Sequence, residues 1–153
     1  MSTTISYLYC MGNIAGSGFL NGNTGSATVN LQSNANGGGA FSGTVWALTP
    51  TGEANTYTVK CQGTKPGNQY LSGDATHGGV ALAPSAGGSS TEWVLAPIAS
   101  TPQEYTIQLA DTSYGPLYLN GVTYEGAVNL VNTTSVSGAN WLVLDSFQPS
   151  ATA

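Results

Sequence analysis

Apolar positions along this chain recur in short alternating runs, and the runs themselves recur in threes. Tyr57, Val59 and Cys61 alternate with Thr58, Lys60 and Gln62, the period-two signature of a strand with one buried face. YTIQLAD from Tyr105 repeats the run, and SYLYCMG from Ser6 stands one unit earlier, which aligns Cys10, Cys61 and Leu109. Each unit continues with an aromatic–Leu pair (Phe19-Leu20, Tyr70-Leu71, Tyr118-Leu119) and a glycine two residues later (Gly22, Gly73, Gly121). A Val-x-Leu run follows, ending at Leu31, Leu82 or Leu130. Each unit closes on a tryptophan: Trp46, Trp93 and Trp141, spaced 47 and 48 residues apart (93 − 46 and 141 − 93). The first unit carries four extra residues between its Val-x-Leu run and its tryptophan, in the glycine-rich stretch SNANGGGAFSG.

These runs predict four short strands per unit, twelve in all, separated by Gly, Pro, Asn and Ser clusters. No window holds helical periodicity long enough to compete. A fixed internal spacing repeated three times marks a repeat architecture. The chain reads as a single all-β domain of three repeats, about 5–55, 56–103 and 104–148, with a short tail at 149–153. Strands in three equal units close on themselves with approximate threefold symmetry, which removes exposed sheet edges.

Composition narrows the function. Only 6% of residues are charged, against about 25% in ordinary domains. There is no Arg, and Lys60 and Lys65 are the only cations in a chain of net charge −5. Neutralising phosphates takes clustered Lys and Arg, so no nucleic-acid partner is expected, nor attraction to an anionic membrane. No stretch approaches 18 apolar residues, so no membrane insertion is expected. MSTTISYLYC lacks a basic n-region and a continuous apolar h-region. The expected location is therefore cytoplasmic, or outside the cell after release without a classical signal peptide. Gly, Ser, Thr and Asn replace charge with neutral hydrogen-bonding groups, which match sugars.

The three units with a late tryptophan resemble the β-trefoil, in which six strands close a barrel and three hairpins cap it. The tryptophan resembles the Q-x-W element of the ricin-B-like lectins, although Thr44, Thr91 or Ala139 stands where that element has Gln. The likeness covers the whole chain and is closest to signal-less mushroom β-trefoil lectins. A threefold mannose-lectin prism is the competing architecture, but its Q-x-D-x-N-x-V-x-Y motif is absent. The resemblance implies a fungal-type, non-catalytic sugar binding protein for terminal galactose or N-acetylgalactosamine on glycans or glycoproteins, with a homodimer permitted for avidity.

Candidate site residues follow from the strands. With Val and Leu of Val-x-Leu pointing inward, the residues between them, Asn30, Ala81 and Asn129, point out. The residues after the aromatic–Leu pairs, Asn21, Ser72 and Asn120, are expected to point out beside them. Asn21 and Asn120 stand where the ricin-like site has Asp, and Asn30 and Asn129 where it has its amide. Tyr124 is the candidate for stacking on a sugar ring. In the middle repeat, Asp74 and His77 offer a different site in the same hairpin. The carbohydrate site set is therefore Asn21, Asn30, Ser72, Asp74, His77, Asn120, Tyr124 and Asn129.

Catalysis is not expected. The one histidine and seven scattered acids form no nucleophile–base–orienter set, no repeated carboxylate pair and no metal cluster. No cofactor is expected. Cys10 and Cys61 are expected as free buried thiols facing each other across the core, and the tryptophans as core. The alternative reading is a protease inhibitor directed at a cysteine or asparagine-specific protease, through the inserted loop around Asn34 and Asn36. Trypsin is a poor target, because Lys60 lies in a strand and Pro66 follows Lys65.

Overall fold

The structure is a computed structural model that describes residues 3–12, 18–32, 43–63, 67–98, 103–122 and 125–144. Its strands are β1 (Thr4–Ser6), β2 (Leu8–Cys10), β3 (Phe19–Asn23), β4 (Thr28–Gln32), β5 (Trp46–Pro50), β6 (Thr56–Cys61), β7 (Tyr70–Asp74), β8 (Gly79–Ala83), β9 (Glu92–Pro97), β10 (Glu104–Leu109), β11 (Tyr118–Val122), β12 (Ala127–Val131) and β13 (Asn140–Val143). Two 3₁₀ turns, Ser89–Thr91 and Ser137–Ala139, lead into β9 and β13.

All pairings are antiparallel, and they close a ring. β5 pairs β1 and β6, β9 pairs β6 and β10, and β13 pairs β10 and β2. β1 and β2 are two halves of one strand interrupted at Tyr7. One half pairs with β5 and the other with β13, so the strand bends between its two neighbours. That interruption gives thirteen strands among the described residues where the repeats predict twelve. Hairpins β3–β4, β7–β8 and β11–β12 branch from the ring through β2, β6 and β10. A six-stranded barrel capped by three hairpins is the β-trefoil.

The repeats build one core. Trp46, Trp93 and Trp141 are fully buried, with Leu20, Leu71 and Leu119 beside them. Each indole Nε1–H donates to the carbonyl of that leucine, at 2.9, 2.9 and 3.0 Å. An indole needs such an acceptor when buried. The repeated glycines are required by close packing. A Cβ on Gly22 would lie 2.9 Å from Cys61 Sγ, on Gly73 2.9 Å from Leu109 Cδ1, and on Gly121 2.6 Å from Cys10 Sγ. The aligned trio Cys10, Cys61 and Leu109 therefore seats against the hairpin of the preceding repeat.

The two cysteines are free and buried. Both belong to the core, and each thiol lies against backbone carbonyls, Gly121 and Gly138 for Cys10 and Gly22 and Gly43 for Cys61. Burial pushes both thiols above their usual range, which keeps them protonated and unreactive. Ser6 fills the position that Tyr57 and Tyr105 hold in the other repeats. Its hydroxyl is buried without a partner among the described residues.

The hairpins are tied to one another in a cycle. Leu31 N–H donates to Gly126 O, Leu82 N–H to Ala27 O, and Leu130 N–H to Gly78 O, at 2.9, 3.0 and 2.9 Å. The three acceptor residues all adopt positive φ: 63° at Ala27, 78° at Gly78 and 71° at Gly126. Glycine takes that conformation freely, whereas Ala27 carries a Cβ penalty of about 1–2 kcal/mol. Nothing but Leu130 O, at 3.7 Å, approaches the place of a Cβ on Gly78, so only the backbone opposes substitution there. Gly78→Ala is expected to lower unfolding free energy by about 1 kcal/mol, and Ala27→Gly to raise it by about 0.5 kcal/mol. Urea denaturation of the two variants checks both signs.

Candidate functional site

The hairpins have identical registers, so sequence differences between them translate directly into differences of site. Asn21 stands opposite Asn30, Ser72 opposite Ala81, and Asn120 opposite Asn129. In the first and third hairpins the facing amides bond. Asn21 Nδ2 donates to Asn30 Oδ1 at 2.9 Å, and Asn120 Nδ2 donates to Asn129 Oδ1 at 2.9 Å. Directly opposed residues on one face are within reach of each other, and here the repeat produces the same contact twice.

The outward direction expected for the Val-x-Leu middle positions is observed: Asn30, Ala81 and Asn129 are exposed. Asn21 and Asn120 take the same face as Asn30 and Asn129, as expected, but are only 9% and 8% exposed. Their face of the strand is covered by the chain entering the tryptophan strand. Gly22 N–H donates to Gly43 O at 2.8 Å. A Cβ on Gly43 would overlap Asn21 Oδ1 and Gly22 O, and one on Gly138 would overlap Asn120 Oδ1 and Gly121 O. Buried Asn and covering glycine thus form a packing pair. In the middle repeat Ser90 stands where the others have Gly43 and Gly138, three residues before the tryptophan. Ser72 there is half-buried. The glycines are structural partners of the site that sequence reasoning missed. Their signal was available, since Gly43 and Gly138 occur only in the repeats that carry paired Asn.

Asp74 and His77 lie together in the β7–β8 turn. Asp74 Oδ1 accepts from the N–H groups of Thr76 and His77 at 3.0 and 3.2 Å, and Asp74 Oδ2 meets His77 Nδ1 at 2.9 Å. Asn23 makes the same turn in the first hairpin, accepting from Gly25 and Ser26 N–H at 3.1 and 3.2 Å. The Asp74 carboxylate is therefore first a turn-former. Its pair with His77 is wholly at the surface, the two side chains being 52% and 79% exposed. Tyr124 lies outside the described residues, as do Asn34 and Asn36 of the inserted loop, and Lys65 with Pro66. Lys60 lies over the Tyr70 ring, 5.6 Å from its centroid. Among the described residues no three His, Cys, Asp or Glu side chains group as metal ligands, and no helix is long and apolar enough to cross a membrane.

No family model matches this chain, and no curated protein matches it in sequence. Solved structures do match in shape. SeviL, bound to asialo-GM1 saccharide, superposes with a TM-score of 0.66 at 12% identity, over 95% of this chain and 100% of its own. The designed 3-fold symmetric protein ThreeFoil superposes at 0.67 and 16% identity, over 93% and 99%. The lectin of Polyporus squamosus, bound to a human-type influenza-binding epitope, superposes at 0.67 and 20% identity. It matches over 94% of this chain, which spans 49% of that lectin. A GlcNAcα1-4Gal-releasing endo-β-galactosidase from Clostridium perfringens matches at 0.70 and 13% identity, over 94% of this chain and 33% of that enzyme. At such identities the likeness establishes the β-trefoil fold. The fold is shared by lectins, a designed protein and part of an enzyme, so function has to be argued from the site.

Hydrogen bonding from the His77 side chain, followed by the turn amides, holds the Asp74 carboxyl below its usual range. A depressed folded-state value contributes stability at neutral pH that is lost as pH falls through that value. Both groups are exposed, so the effect is read on the carboxyl itself. In His77→Ala the Asp74 carboxyl is expected to titrate at higher pH, followed by carboxyl carbon NMR. An unchanged titration would rule out the pairing in solution.

Proposed function

We propose that this protein is a non-catalytic lectin that binds glycans on the outer faces of its hairpins, with terminal galactose or N-acetylgalactosamine as the sugars. The observation that carries the reading is the duplicated amide pair. Asn30 and Asn129 are exposed, each is held by a buried Asn, and both occupy equivalent positions on a surface almost without charge. A carboxamide fixed in this way pays little ordering entropy when it bonds a ligand. Neutral donors and acceptors suit sugar hydroxyl and acetamido groups. Two of the structural neighbours, SeviL and the Polyporus squamosus lectin, are described bound to glycans. Shallow contacts of this kind give weak binding per site, raised by engaging several sites at once.

The test is a glycan array with the labelled protein, repeated with excess galactose and with excess N-acetylgalactosamine. Specific signal erased by one of these sugars is expected. The retained signal should change little between low and high salt, because the site has almost no charge to screen. A blank array, or binding that collapses with salt, would overturn the proposal.

A further inference from the structure

We infer that Asn21 and Asn120 fix the hydrogen-bonding polarity of two sites, and only two, so that Asn30 and Asn129 present amide donors to an acceptor on the ligand, the acetamido carbonyl of an N-acetylhexosamine. The inference rests on the lectin reading and specifies which group of the sugar that surface selects.

The polarity comes from the buried partner. An amide side chain has one acceptor oxygen and two N–H donors, and the bond in each pair runs from the buried Nδ2 to the exposed Oδ1. The buried amides are confined, because Gly43 and Gly138 close over their Oδ1 atoms with no room for even a Cβ. In both pairs the exposed carboxamide turns its oxygen to the buried partner. Their own Nδ2 groups have no partner among the described residues. The ligand thus meets N–H donors at the centre of each hairpin face, where a carboxylate would have offered acceptors.

The middle hairpin differs as a set. Ser72, Ala81 and Ser90 replace Asn, Asn and Gly together. A buried Asn requires the covering glycine, and the exposed Asn requires the buried one, so the middle repeat is a different packing solution. It presents no amide at that register.

Donor groups select acceptors. A sugar hydroxyl accepts, but an amide carbonyl accepts more strongly. A sugar carboxylate accepts more strongly still, yet the hairpin segments 18–32 and 118–131 contain no cation, and the chain carries net charge −5. An uncharged acetamido group remains the best match.

The experiment is an NMR titration of side-chain and backbone amides with N-acetylgalactosamine, N-acetylglucosamine and galactose. In the wild-type protein the Asn30 and Asn129 side-chain N–H signals should move with an N-acetylhexosamine, while the Ser72–Ala81 pair stays still. The decisive variant is Asn30→Asp with Asn129→Asp. Each carboxylate still accepts from its buried partner, so the melting temperature is expected to hold while the outward edge changes from donor to acceptor. Affinity for the preferred N-acetylhexosamine should fall about tenfold, the scale of one hydrogen bond, and galactose should be affected much less. Asn21→Ser with Asn120→Ser tests positioning: the preference for N-acetylhexosamine over galactose should narrow even though neither residue is reached by the ligand. Should the Asp variant fail to fold, Asn30→Ala with Asn129→Ala replaces it, with the same expected loss. Shifts in all three hairpins, or undiminished preference in the Asp or Ala variants, would overturn the inference while the lectin reading stands. Absence of any bound glycan, on the array and in the titration, would overturn both.

Discussion

Everything else in this molecule is positioned by one repeated contact, the indole N–H of each tryptophan bonded to the carbonyl of the leucine that starts a hairpin. Trp46 with Leu20, Trp93 with Leu71 and Trp141 with Leu119 each join a barrel strand to the first strand of a hairpin in the same repeat. The bond is buried, so losing it would strand a polar group away from water as well as remove packing. It sets how far the hairpin stands from the barrel. That distance is short enough that the residue two beyond the leucine must be glycine, because the aligned Cys or Leu from the next repeat fills the space, joined by the indole ring at Gly22 and Gly73 and by Leu31 at Gly121. With the hairpin seated, its outer face meets the chain that enters the tryptophan strand. There the repeats part company.

The fold was legible in the sequence because its determinants are local and threefold. The Trp spacing, the aromatic–Leu pairs, the following glycines and the Val-x-Leu runs all mark strands of one register, and each has a packing reason in the structure. The site was legible only in part. Alternation along a strand correctly turned Asn30, Ala81 and Asn129 to the outside. It gave the face of Asn21 and Asn120 but not their burial, because alternation says which face a residue takes and nothing of what covers that face. The cover is a segment more than twenty residues downstream of Asn21, and sequence order gives no measure of that approach. The same limit applies to Cys10 and Cys61. Their equivalence in the repeat was readable, but their seating against hairpin carbonyls depends on how the hairpin tilts. Asp74 and His77 were readable as neighbours three residues apart, while their turn-forming role emerged from the amide bonds of Thr76 and His77.

Near-symmetry lets each repeat act as a control for the others. A turn residue at positive φ is glycine twice and Ala27 once. A buried first-strand position is tyrosine twice and Ser6 once. The hairpin face is an amide pair twice and a serine–alanine pair once. The first two are departures the fold tolerates at a modest energetic cost. The third involves three residues changing in concert. Concerted replacement of residues in contact is what close packing demands, since altering one alone leaves an overlap or a void.

The cycle of bonds between the hairpins has a consequence for how small such a molecule can be. Each leucine N–H is satisfied by the turn of another repeat, in the order first to third, third to second, second to first. A two-repeat piece would leave one donor and one carbonyl open at the apex, beside a gap in the barrel wall. Closure therefore arrives with the third unit and not before. A single repeat can close this cycle only by meeting two copies of itself, so a one-repeat version of this architecture would have to be a trimer.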